Sequence, residues 1–396
     1  MNTPLPRAFW LLWGGSFVNR LGTFVVPFLA LFLTGARGFT FAQAGATAAL
    51  FGLGSMFAGP IGGALADRIG RRFTLTLGLA LGAAFLLAIL AARTPFEIGV
   101  AVFLCGLGSD LFRPALFATV ADLIPHEQRA RAYGLLYWSF NLGFAISMPL
   151  GGALAKSGYG KLFFADAGTN LLFAALILVG LHETRPTAPV AVAESSVEHK
   201  ASGGLRQVLR DPIFLAFGFF MMLNGIVFMQ SMSSLPLAMR AQGIDTEAYG
   251  RLLAINGLLI VALQPFAEDA LGWMRPSVRI ALAITLCALG TGLQMFCTTP
   301  LHYALAISLW TLGEITLAGI APAVVARMSA PSLRGAYQGV YGAFWSAGAL
   351  LAPLFGPEIL SAHGPRVLWG GSAVMALVAA LGMLLLGHRL ERAQQS

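Results

Sequence analysis

Long apolar stretches alternate with short polar ones along almost the whole chain. A helix needs about 20 mostly apolar residues to cross the hydrocarbon core of a bilayer. Stretches of about this length occur six times before a polar segment in the middle of the chain and six times after it. They cover residues 8–34, 42–65, 73–92, 96–121, 132–155, 162–182, 212–239, 249–270, 279–297, 301–325, 335–360 and 367–387, and are called spans 1 to 12. The pattern predicts an all-α membrane protein with twelve transmembrane helices.

The polar segment divides the chain into three predicted parts. Residues 1–182 form an N-terminal six-helix bundle, and residues 212–396 form a C-terminal six-helix bundle. Residues 183–211 are rich in Pro, Ala, Ser and charge, and this composition indicates a solvated cytoplasmic linker between the bundles.

The two bundles repeat each other in sequence at a constant offset of 205 residues. The offset joins six pairs of glycines, and it also pairs Asn19 with Asn224, Pro60 with Pro265 and Arg129 with Arg334. An ungapped repeat of this length predicts two pseudo-symmetric bundles related by an axis along the membrane normal.

Composition agrees with a membrane protein and excludes other classes. Apolar residues make up 57% of the chain and charged residues 11%, whereas a soluble domain carries about 25% charged residues. The net charge is +8, but the basic residues are scattered between apolar spans, which argues against nucleic-acid binding. The three cysteines have no metal-ligand spacing, and we find no nucleophile–base set or nucleotide loop. We therefore expect no enzyme activity, no metal and no cofactor.

The distribution of basic residues predicts the orientation in the membrane. With a cytoplasmic N-terminus, sixteen of the 25 Lys and Arg residues fall on the cytoplasmic side and seven on the outer side, while Arg20 and Arg113 lie within spans. Cytoplasmic loops carry the excess of Lys and Arg in membrane proteins. We therefore expect a multi-pass protein of the bacterial inner membrane with both termini in the cytoplasm.

The loop between spans 2 and 3 carries a dense charged motif. It reads Gly63-Ala-Leu-Ala-Asp67-Arg68-Ile-Gly70-Arg71-Arg72. Gly70 allows a tight turn, and the arginines supply forked donors that can hold the Asp67 carboxylate. The run resembles the cytoplasmic GxxxDRxGRR signature of the major facilitator superfamily. That resemblance implies a gating cluster in which Asp67 meets the start of span 11 and a carboxylate ending span 4, here Asp122, and stabilises the outward-facing state.

The rest of the chain resembles the drug/proton antiporter branch of that superfamily. Asn19-Arg20-Leu-Gly22 in span 1, Arg334-Gly-Ala-Tyr337-Gln338-Gly339 at the start of span 11, and Asn141 to Gly152 in span 5 carry the likeness. Two positions depart from the branch and bear on proton coupling. Ser147 and Met148 replace the usual Gly-Pro pair of span 5, and Val102 stands where many proton-coupled members have an arginine.

Four ionisable residues lie well inside predicted spans, namely Arg20, Asp110, Arg113 and Glu314. Each costs about 2.5–3.5 kcal/mol at mid-depth in lipid, so each should face a hydrated cavity or a partner. No such residue is expected mid-span in spans 3, 6, 9 and 12, the outer set of the family. Glu314 is the leading candidate for proton coupling, with Asp110 and Arg113 as further candidates. The alternative for the last two is a structural pair one helical turn apart.

Two helix faces combine aromatic rings with hydrogen-bonding groups, as a pocket for an amphipathic ligand would. Span 5 presents Tyr133, Tyr137 and Asn141, and span 11 presents Gln338, Tyr341 and Trp345. Together with Asn19, Arg20 and Asn224 they form the predicted substrate cavity. The alternative is that the rings pack between helices.

These expectations together describe a secondary active transporter. The resemblance implies proton-coupled efflux of amphipathic or hydrophobic small molecules by alternating access, with a small-molecule substrate, protons and the lipid bilayer as partners and a monomer as the working unit. A transporter of the same fold for uptake, or for lipids or anionic metabolites, is an alternative. A membrane sensor or a membrane-embedded enzyme is the alternative outside transport.

The basic-residue bias generates a topological prediction. Green fluorescent protein fused after Ser396 or inserted into the 183–211 linker should fluoresce, and alkaline phosphatase at the same positions should be inactive, because the sixteen-to-seven bias holds these segments in the cytoplasm. Phosphatase activity at Ser396 without fluorescence would contradict the predicted orientation.

Overall fold

A computed structural model describes residues 4–185, 206–329 and 333–392, so most of the predicted linker lies outside the described residues. The α-helices of this part of the chain are α1 Arg7–Leu21, α2 Val25–Ala36, α3 Phe41–Ile69, α4 Arg71–Ala91, α5 Pro95–Leu123, α6 His126–Lys156, α7 Gly160–Gly180, α8 Pro212–Ser233, α9 Leu235–Ala241, α10 Thr246–Leu271, α11 Pro276–Leu293, α12 Pro300–Leu317, α13 Ile320–Met328 and α14 Arg334–Arg392. A single 3₁₀ turn at Gln294–Phe296 follows α11. The prediction of an all-α protein is confirmed.

Ten segments of the described residues are long and apolar enough to cross a bilayer. They do not include α6, which is 31 residues long but richer in polar groups. One of the ten, Tyr337–Gly387, covers both predicted spans 11 and 12, because α14 continues through a kink at Gly364, where φ is +81°. The chain is a multi-pass membrane protein, and the number of twelve helices stays a prediction.

Three predicted spans are each divided into two helices, which the sequence analysis did not predict. Span 1 becomes α1 and α2, separated by residues 22–24, and span 7 becomes α8 and α9, separated by Ser234. Span 10 becomes α12 and α13, separated by Ala318 and Gly319, and Gly319 has φ +76°. Polar residues lie at the breaks of spans 1 and 7, in Asn19-Arg20-Leu-Gly22-Thr23 and in Gln230-Ser231-Met-Ser233-Ser234. Each span is nevertheless apolar on average, so mean hydropathy does not separate the two helices.

Contacts divide the chain into two compact units. The first unit comprises Met1–Thr187 with Met232–Val261 and Pro353–Glu358, and the second comprises Ala188–Ser231, Ala262–Ala352 and Ile359–Ser396. The first unit has a core around Phe9, Phe173 and Leu116, and the second has a core around Phe214 and Phe217. The predicted limits of the two bundles and the linker stay predictions.

Glycines set the packing of α3 against α5 in the first unit. A methyl group at Gly54 or Gly62 of α3 would overlap the carbonyl oxygen of Phe103 or Leu111 on α5, and one at Gly106 of α5 would overlap the carbonyl oxygen of Phe51. Small residues let membrane helices approach backbone to backbone, and packing rather than hydrophobicity holds such helices together. These glycines are therefore structural.

The glycine contacts predict opposite effects for two substitutions on α3. Gly54→Ala should destabilise the protein by about 1–3 kcal/mol, because the added methyl group forces α3 and α5 apart. Gly59→Ala places its methyl group where the structure has no atom within 4 Å, so it should be neutral or stabilising by up to about 1 kcal/mol. Thermal unfolding of the purified proteins in detergent measures both. Equal unfolding temperatures for the two variants would contradict this account of the α3–α5 packing.

Candidate functional site

Arg71 forms the centre of the charged cluster at the predicted gating motif. Its Nη1 atom is 2.5 Å from Asp67 Oδ1 and its Nε atom is 3.2 Å from Asp122 Oδ2. The Arg71 side chain is 11% exposed, whereas that of Asp67 is 74% exposed. The structure thus brings three of the predicted motif residues together, with one guanidinium shared by two carboxylates.

Glu183 completes this cluster, although the sequence analysis placed it in the linker. Its carboxylate accepts hydrogen bonds from the backbone N–H groups of Arg71 at 2.9 Å and Arg72 at 3.2 Å, the first two residues of α4. It also accepts from the N–H groups of Thr184 and Arg185. Burial alone would raise the pKa of Glu183, but these four N–H donors lower it below its ordinary value. The carboxylate therefore satisfies donors at the N-terminus of α4, where the helix dipole favours a negative charge.

Gly70 makes this cap possible. Its φ of +106° turns the chain between α3 and α4, and a methyl group on it would overlap a carboxylate oxygen of Glu183. By contrast, Gly63 has open space around its Cα, with no atom of the described residues within 4 Å of an added methyl group. Of the two motif glycines, Gly70 is the one that the local geometry requires.

Three other arginines near the motif donate to carbonyl groups at helix C-termini. Arg72 bonds to the carbonyl of Leu178 in α7, and the carbonyl of Arg68 in α3 accepts from Arg185 at 2.6 Å. Arg129 donates to the carbonyls of Ala121 at 2.7 Å and Ile124 at 3.1 Å, at the end of α5. Positive charge at a helix C-terminus complements the dipole. These arginines therefore cap helix C-termini, in addition to the part in membrane orientation that the sequence predicts for them.

Asp110 and Arg113 form the pair that the sequence analysis gave as an alternative. Arg113 Nε lies 2.8 Å from Asp110 Oδ1 on the same helix, α5, and their side chains are 53% and 25% exposed. Arg20 of α1 interacts electrostatically with both, and its guanidinium lies 5.8 Å from the centre of the Phe140 ring. The Nε atom of Arg20 is buried without a hydrogen-bond partner in the described part of the chain.

Asp166 of α7 is a buried carboxylate that the sequence analysis missed. It is 5% exposed and accepts hydrogen bonds from the backbone N–H groups of Phe24 at 3.2 Å and Val25 at 3.1 Å. These residues start α2, so Asp166 caps the second half of span 1. The sequence analysis expected no ionisable residue in the middle of span 6. Asp166 lies near the start of that span, which was predicted to begin at residue 162, and it was therefore not singled out.

Polar side chains of α6 and α7 also close this break in span 1. Ser147 of α6 donates to the carbonyl of Thr23 at 3.1 Å. The residue that stands where the antiporter branch has a glycine therefore satisfies a backbone acceptor at the break. Asn170 donates to Asp166 Oδ1 at 3.0 Å and accepts from Asn19 at 3.1 Å. Asn19, predicted to line the substrate cavity, is thus part of a polar chain between α1 and α7.

The predicted cavity residues of spans 5 and 11 have partners within their own units. Tyr133 donates to the carbonyl of Phe117 at 3.1 Å, and Asn141 donates to the carbonyl of Tyr137 at 2.9 Å. Tyr137 is 40% exposed. In the second unit, Gln338 donates to the carbonyl of Pro322 at 2.9 Å.

The remaining cavity candidates lie in the second unit. The Tyr341 ring stacks at a tilt against Phe217 and the Trp345 ring against Phe228, with centroids 6.2 and 5.7 Å apart. Asn224 is 3% exposed, and its Oδ1 atom has no partner among the described residues. Aromatic packing, the alternative that the sequence left open, therefore describes part of this set.

Glu314 lies on α12 four residues before the break of span 10. Its backbone carbonyl accepts from Ala318 N–H at 3.0 Å, and its side chain is half-buried. On the same side of this break, the buried Arg279 of α11 donates to the carbonyl of Thr316 at 3.0 Å, and it pairs with Glu268 at 2.8 Å. A cavity of about 370 Å³ adjoins the break and is lined by Arg279, Glu268 and Arg327.

Segments from both sequence halves pack closely inside the first unit. A methyl group at Gly250 of α10 would overlap the carbonyl oxygen of Met148 in α6, and one at Gly257 would come within 2.7 Å of Ala145. The hydroxyl of the buried Tyr249 donates to the carbonyl of Pro27 at 3.3 Å. Backbone contact of this kind leaves no room for a substrate between α6 and α10 at this level.

Charges at the ends of these two helices add an ionic contact. Glu247 accepts from Lys156 at 2.9 Å through one oxygen and from Arg251 at 2.7 Å through the other. The side chains of Lys156 and Arg251 are 68% and 60% exposed. Exposed ion pairs contribute up to about 1 kcal/mol each to stability. The glycine packing beneath them is therefore the more stable part of the contact.

Capping by Glu183 generates a prediction for stability. Glu183→Gln should cost about 0.5–2 kcal/mol, the usual effect of losing a helix cap, while Asp67→Asn should leave the unfolding temperature nearly unchanged because Asp67 is largely exposed. Since the folded protein lowers the Glu183 pKa, the stabilisation is complete above the unfolded glutamate pKa of about 4.3. It is lost as the pH falls through the lower folded-state pKa.

Thermal unfolding of the wild type and both variants between neutral pH and pH of about 3 tests this. The difference between the wild type and Glu183→Gln should shrink on acidification. A difference that stays constant over the whole range would show that the charge of Glu183 does not stabilise α4.

Comparisons with known proteins agree with this arrangement. The chain is 28% identical to a protein of Planococcus maritimus named Na(+), Li(+), K(+)/H(+) antiporter, over 86% of each chain. It is 25% identical to the multidrug resistance protein MdtH of Aeromonas salmonicida, over 83% of this chain and 82% of the relative. The fold is similar to a crystal structure of a POT peptide transporter in complex with sulfate, with a TM-score of 0.79 and 18% identity, over 99% of this chain and 96% of that one.

The family model named Major Facilitator Superfamily matches residues 12–321. That match includes the charged motif, the broken span 1 and the pair of Asp110 and Arg113. Together with the helical fold, it shows that the chain belongs to the Major Facilitator Superfamily of membrane transporters.

Proposed function

We propose that this protein is a proton-coupled transporter that exports amphipathic or hydrophobic small molecules across the bacterial inner membrane by alternating access. The close contact of α6 with α10 inside the first unit carries the proposal. Segments from the two sequence halves meet there through glycines, with Lys156, Glu247 and Arg251 at the rim. Backbone contacts of this kind can separate as rigid surfaces, as an alternating-access gate requires.

The proposed topology has twelve membrane helices with both termini in the cytoplasm. Counting α6 and dividing α14 at Gly364 adds two spans to the ten apolar segments. In this topology the contact of Lys156 with Glu247 lies on the outer side, and the cluster around Arg71 lies on the cytoplasmic side. The two clusters would then act at opposite ends of the substrate path.

The cluster around Arg71 is the proposed cytoplasmic gate. Asp67 is held by Arg71 but remains largely exposed, so its carboxylate is accessible for a second contact. Glu183 and Gly70 fix the turn that presents it. Release and re-formation of the Asp67 contact would favour one state of the cycle over the other.

The proposed coupling residues are Glu314, Asp110 and Arg113. Asp110 forms a salt bridge of 2.8 Å with Arg113 on its own helix. Glu314 is half-buried on α12, a helix that contains no Lys or Arg, and it lies beside the break of span 10. We therefore propose Glu314 as the principal proton carrier, with Asp110 and Arg113 as a fixed charge pair in the substrate path.

Exchange of monovalent cations for protons is the second candidate function. The similarity to the Planococcus maritimus antiporter over 86% of each chain supports it. The same coupling carboxylates would serve, because one acidic site that binds either a proton or a metal cation is sufficient for exchange. The two functions differ in whether a monovalent cation or an organic substrate is exchanged for the proton.

Flux measurements in proteoliposomes separate these functions. The purified protein is reconstituted with an imposed pH gradient, and movement of the fluorescent dye ethidium is followed in parallel with movement of Na⁺, Li⁺ and K⁺. Dye export driven by the pH gradient supports the proposal, and cation exchange without dye movement supports the second candidate. Absence of all pH-driven flux would overturn both.

Substitution of the two coupling carboxylates generates a prediction. Glu314→Gln should reduce pH-driven dye flux at least tenfold while leaving dye exchange without a gradient within about twofold, because it removes the carried proton and keeps the shape of the side chain. Asp110→Asn should lower both processes together, because it leaves Arg113 unpaired. Retention of pH-driven flux in Glu314→Gln and its loss in Asp110→Asn would transfer the role to the α5 pair.

A further inference from the structure

Asp166 lies at the one position where a buried carboxylate meets the start of a membrane helix in the first unit. It accepts from the N–H group of Val25 and from that of Phe24, which also donates to the Gly22 carbonyl at 2.8 Å. An acid at this depth is costly unless it is hydrogen-bonded or neutral. The free energy of the contact therefore depends on whether Asp166 carries a proton.

The groups that face Asp166 leave its charge partly compensated. Arg20 of α1 interacts with it electrostatically, while Asp110 and Arg113 of α5 compensate one another. Cys105 of α5 also lies within its electrostatic range. The facing parts of α2, of α4 from Phe73 to Ala91 and of α6 from Gly134 to Ala155 contain no Asp, Glu, Lys, Arg or His.

Asp166 also ends a chain of amide side chains that can reverse. Asn170 donates its amide to Asp166 Oδ1 and accepts from Asn19 through its own oxygen. A protonated Asp166 would instead donate to the Asn170 oxygen, so the Asn170 amide would turn and donate to Asn19. Amide orientation is set by such networks, because both orientations fill the same space. A proton on Asp166 is therefore transmitted to Asn19, next to Arg20.

The sequence repeat shows that the buried charges near the break in span 1 have neutral counterparts in the second half. At the offset of 205 residues, Asp166 corresponds to Gly371 and Arg20 to Gly225. Residues 22–24, where span 1 is broken, correspond to residues 227–229, where α8 is continuous. The break and the carboxylate that binds it therefore occur together in the first half.

We propose that Asp166 binds and releases a proton during the transport cycle and passes this change to span 1 through the N–H groups of Phe24 and Val25 and through the Asn170–Asn19 chain. The proposal rests on the proposed proton coupling. It makes Asp166 a second proton site in addition to Glu314. In the ionised state the carboxylate holds α2 by two N–H donors and Asn170. In the protonated state the acid loses part of its acceptor capacity, so α2 is held less firmly and Arg20 loses a compensating charge.

The control is Asp211 of the second unit, a half-buried carboxylate that also accepts from two N–H groups at a helix start. It accepts from the N–H groups of Ile213 at 3.1 Å and Phe214 at 3.0 Å at the start of α8, and from the hydroxyl of Tyr337 at 2.9 Å. Asp166→Asn and Asp211→Asn each neutralise one aspartate that caps a helix. They differ in depth and in the amide chain.

The experiment titrates the full-length protein in liposomes by infrared difference spectroscopy, with no substrate present. Seventeen Asp and Glu residues can each contribute a carboxylic-acid C=O band on acidification, so the spectrum of each variant is subtracted from that of the wild type. The wild-type-minus-Asp166→Asn difference should contain a C=O component that appears on acidification, with a frequency and midpoint pH that the wild-type-minus-Asp211→Asn difference lacks. Absence of this component at every pH would overturn the proposal. Because this readout needs no flux, it stays decisive even if the flux assay overturns the proposed function.

Transport provides the second readout. Asp166→Asn should lower pH-driven ethidium flux at least tenfold and keep gradient-independent exchange within about threefold, whereas Asp211→Asn should change neither by more than about twofold. Equal flux in Asp166→Asn and the wild type, with an unchanged number of protons per dye, would show that Asp166 is only a cap. If Asp166→Asn does not accumulate in the membrane, Asp166→Glu replaces it. The longer acid should move the midpoint pH of the infrared band, and an unmoved midpoint would overturn the proposal.

Discussion

The structure depends on one constraint, that backbone N–H and C=O groups inside a membrane need partners within the protein. A continuous helix meets this requirement along its length, but a broken one exposes donors on one side of the break and acceptors on the other. The two breaks at which a charged side chain binds follow the helix dipole. A carboxylate, Asp166, binds the N-terminus of α2, and a guanidinium, that of Arg279, binds the C-terminus of α12.

The same rule explains the charged loop at the end of α3. Glu183 closes the N-terminus of α4, while Arg72, Arg129 and Arg185 close helix C-termini. Asp67, in contrast, is held by Arg71 and has a side chain that is 74% exposed. The motif therefore combines two kinds of charge, those fixed by helix ends and one that is available for a changing contact. A gate needs both, because a mobile contact can bias two states only if the frame around it stays the same.

Hydropathy was sufficient to predict an all-α, multi-pass membrane protein, whereas the number of twelve helices and the two similar halves stay predictions. The charged motif also led to Asp67, Arg71 and Asp122, which the structure brings together. The breaks in spans 1, 7 and 10 could not be predicted in this way. Asp166 and Ser147 from other helices bind the backbone at the break of span 1, and the break of span 10 lies at Gly319, whose φ is +76°. The mean hydropathy of a span carries no information on either feature.

The residues missed by the sequence analysis share a physical reason. Asp166 and Glu183 lie near the predicted ends of spans, where a charge is unremarkable, and their importance comes from backbone groups more than 100 positions away in the chain. One signal was available for Asp166. It lies one helical turn from Asn170, and two polar residues on one face of an apolar helix indicate an interhelical contact.

The comparison between the halves separates charges that support the fold from charges with another purpose. Arg129, which donates to carbonyls at the end of α5, recurs in the sequence as Arg334 at the repeat offset. Arg279 corresponds to Thr74, whose hydroxyl donates to the Gly70 carbonyl, and Gly319 corresponds to Pro114 inside a continuous α5. The two halves therefore use different residues to satisfy backbone groups at the ends and breaks of their helices. Gly371 and Gly225 occupy the positions of the second half that match Asp166 and Arg20. The shared fold therefore does not require a buried charge at either position. A transporter that moves charge in one direction requires such asymmetry, since two identical halves would bind a proton equally well on either side of the cycle.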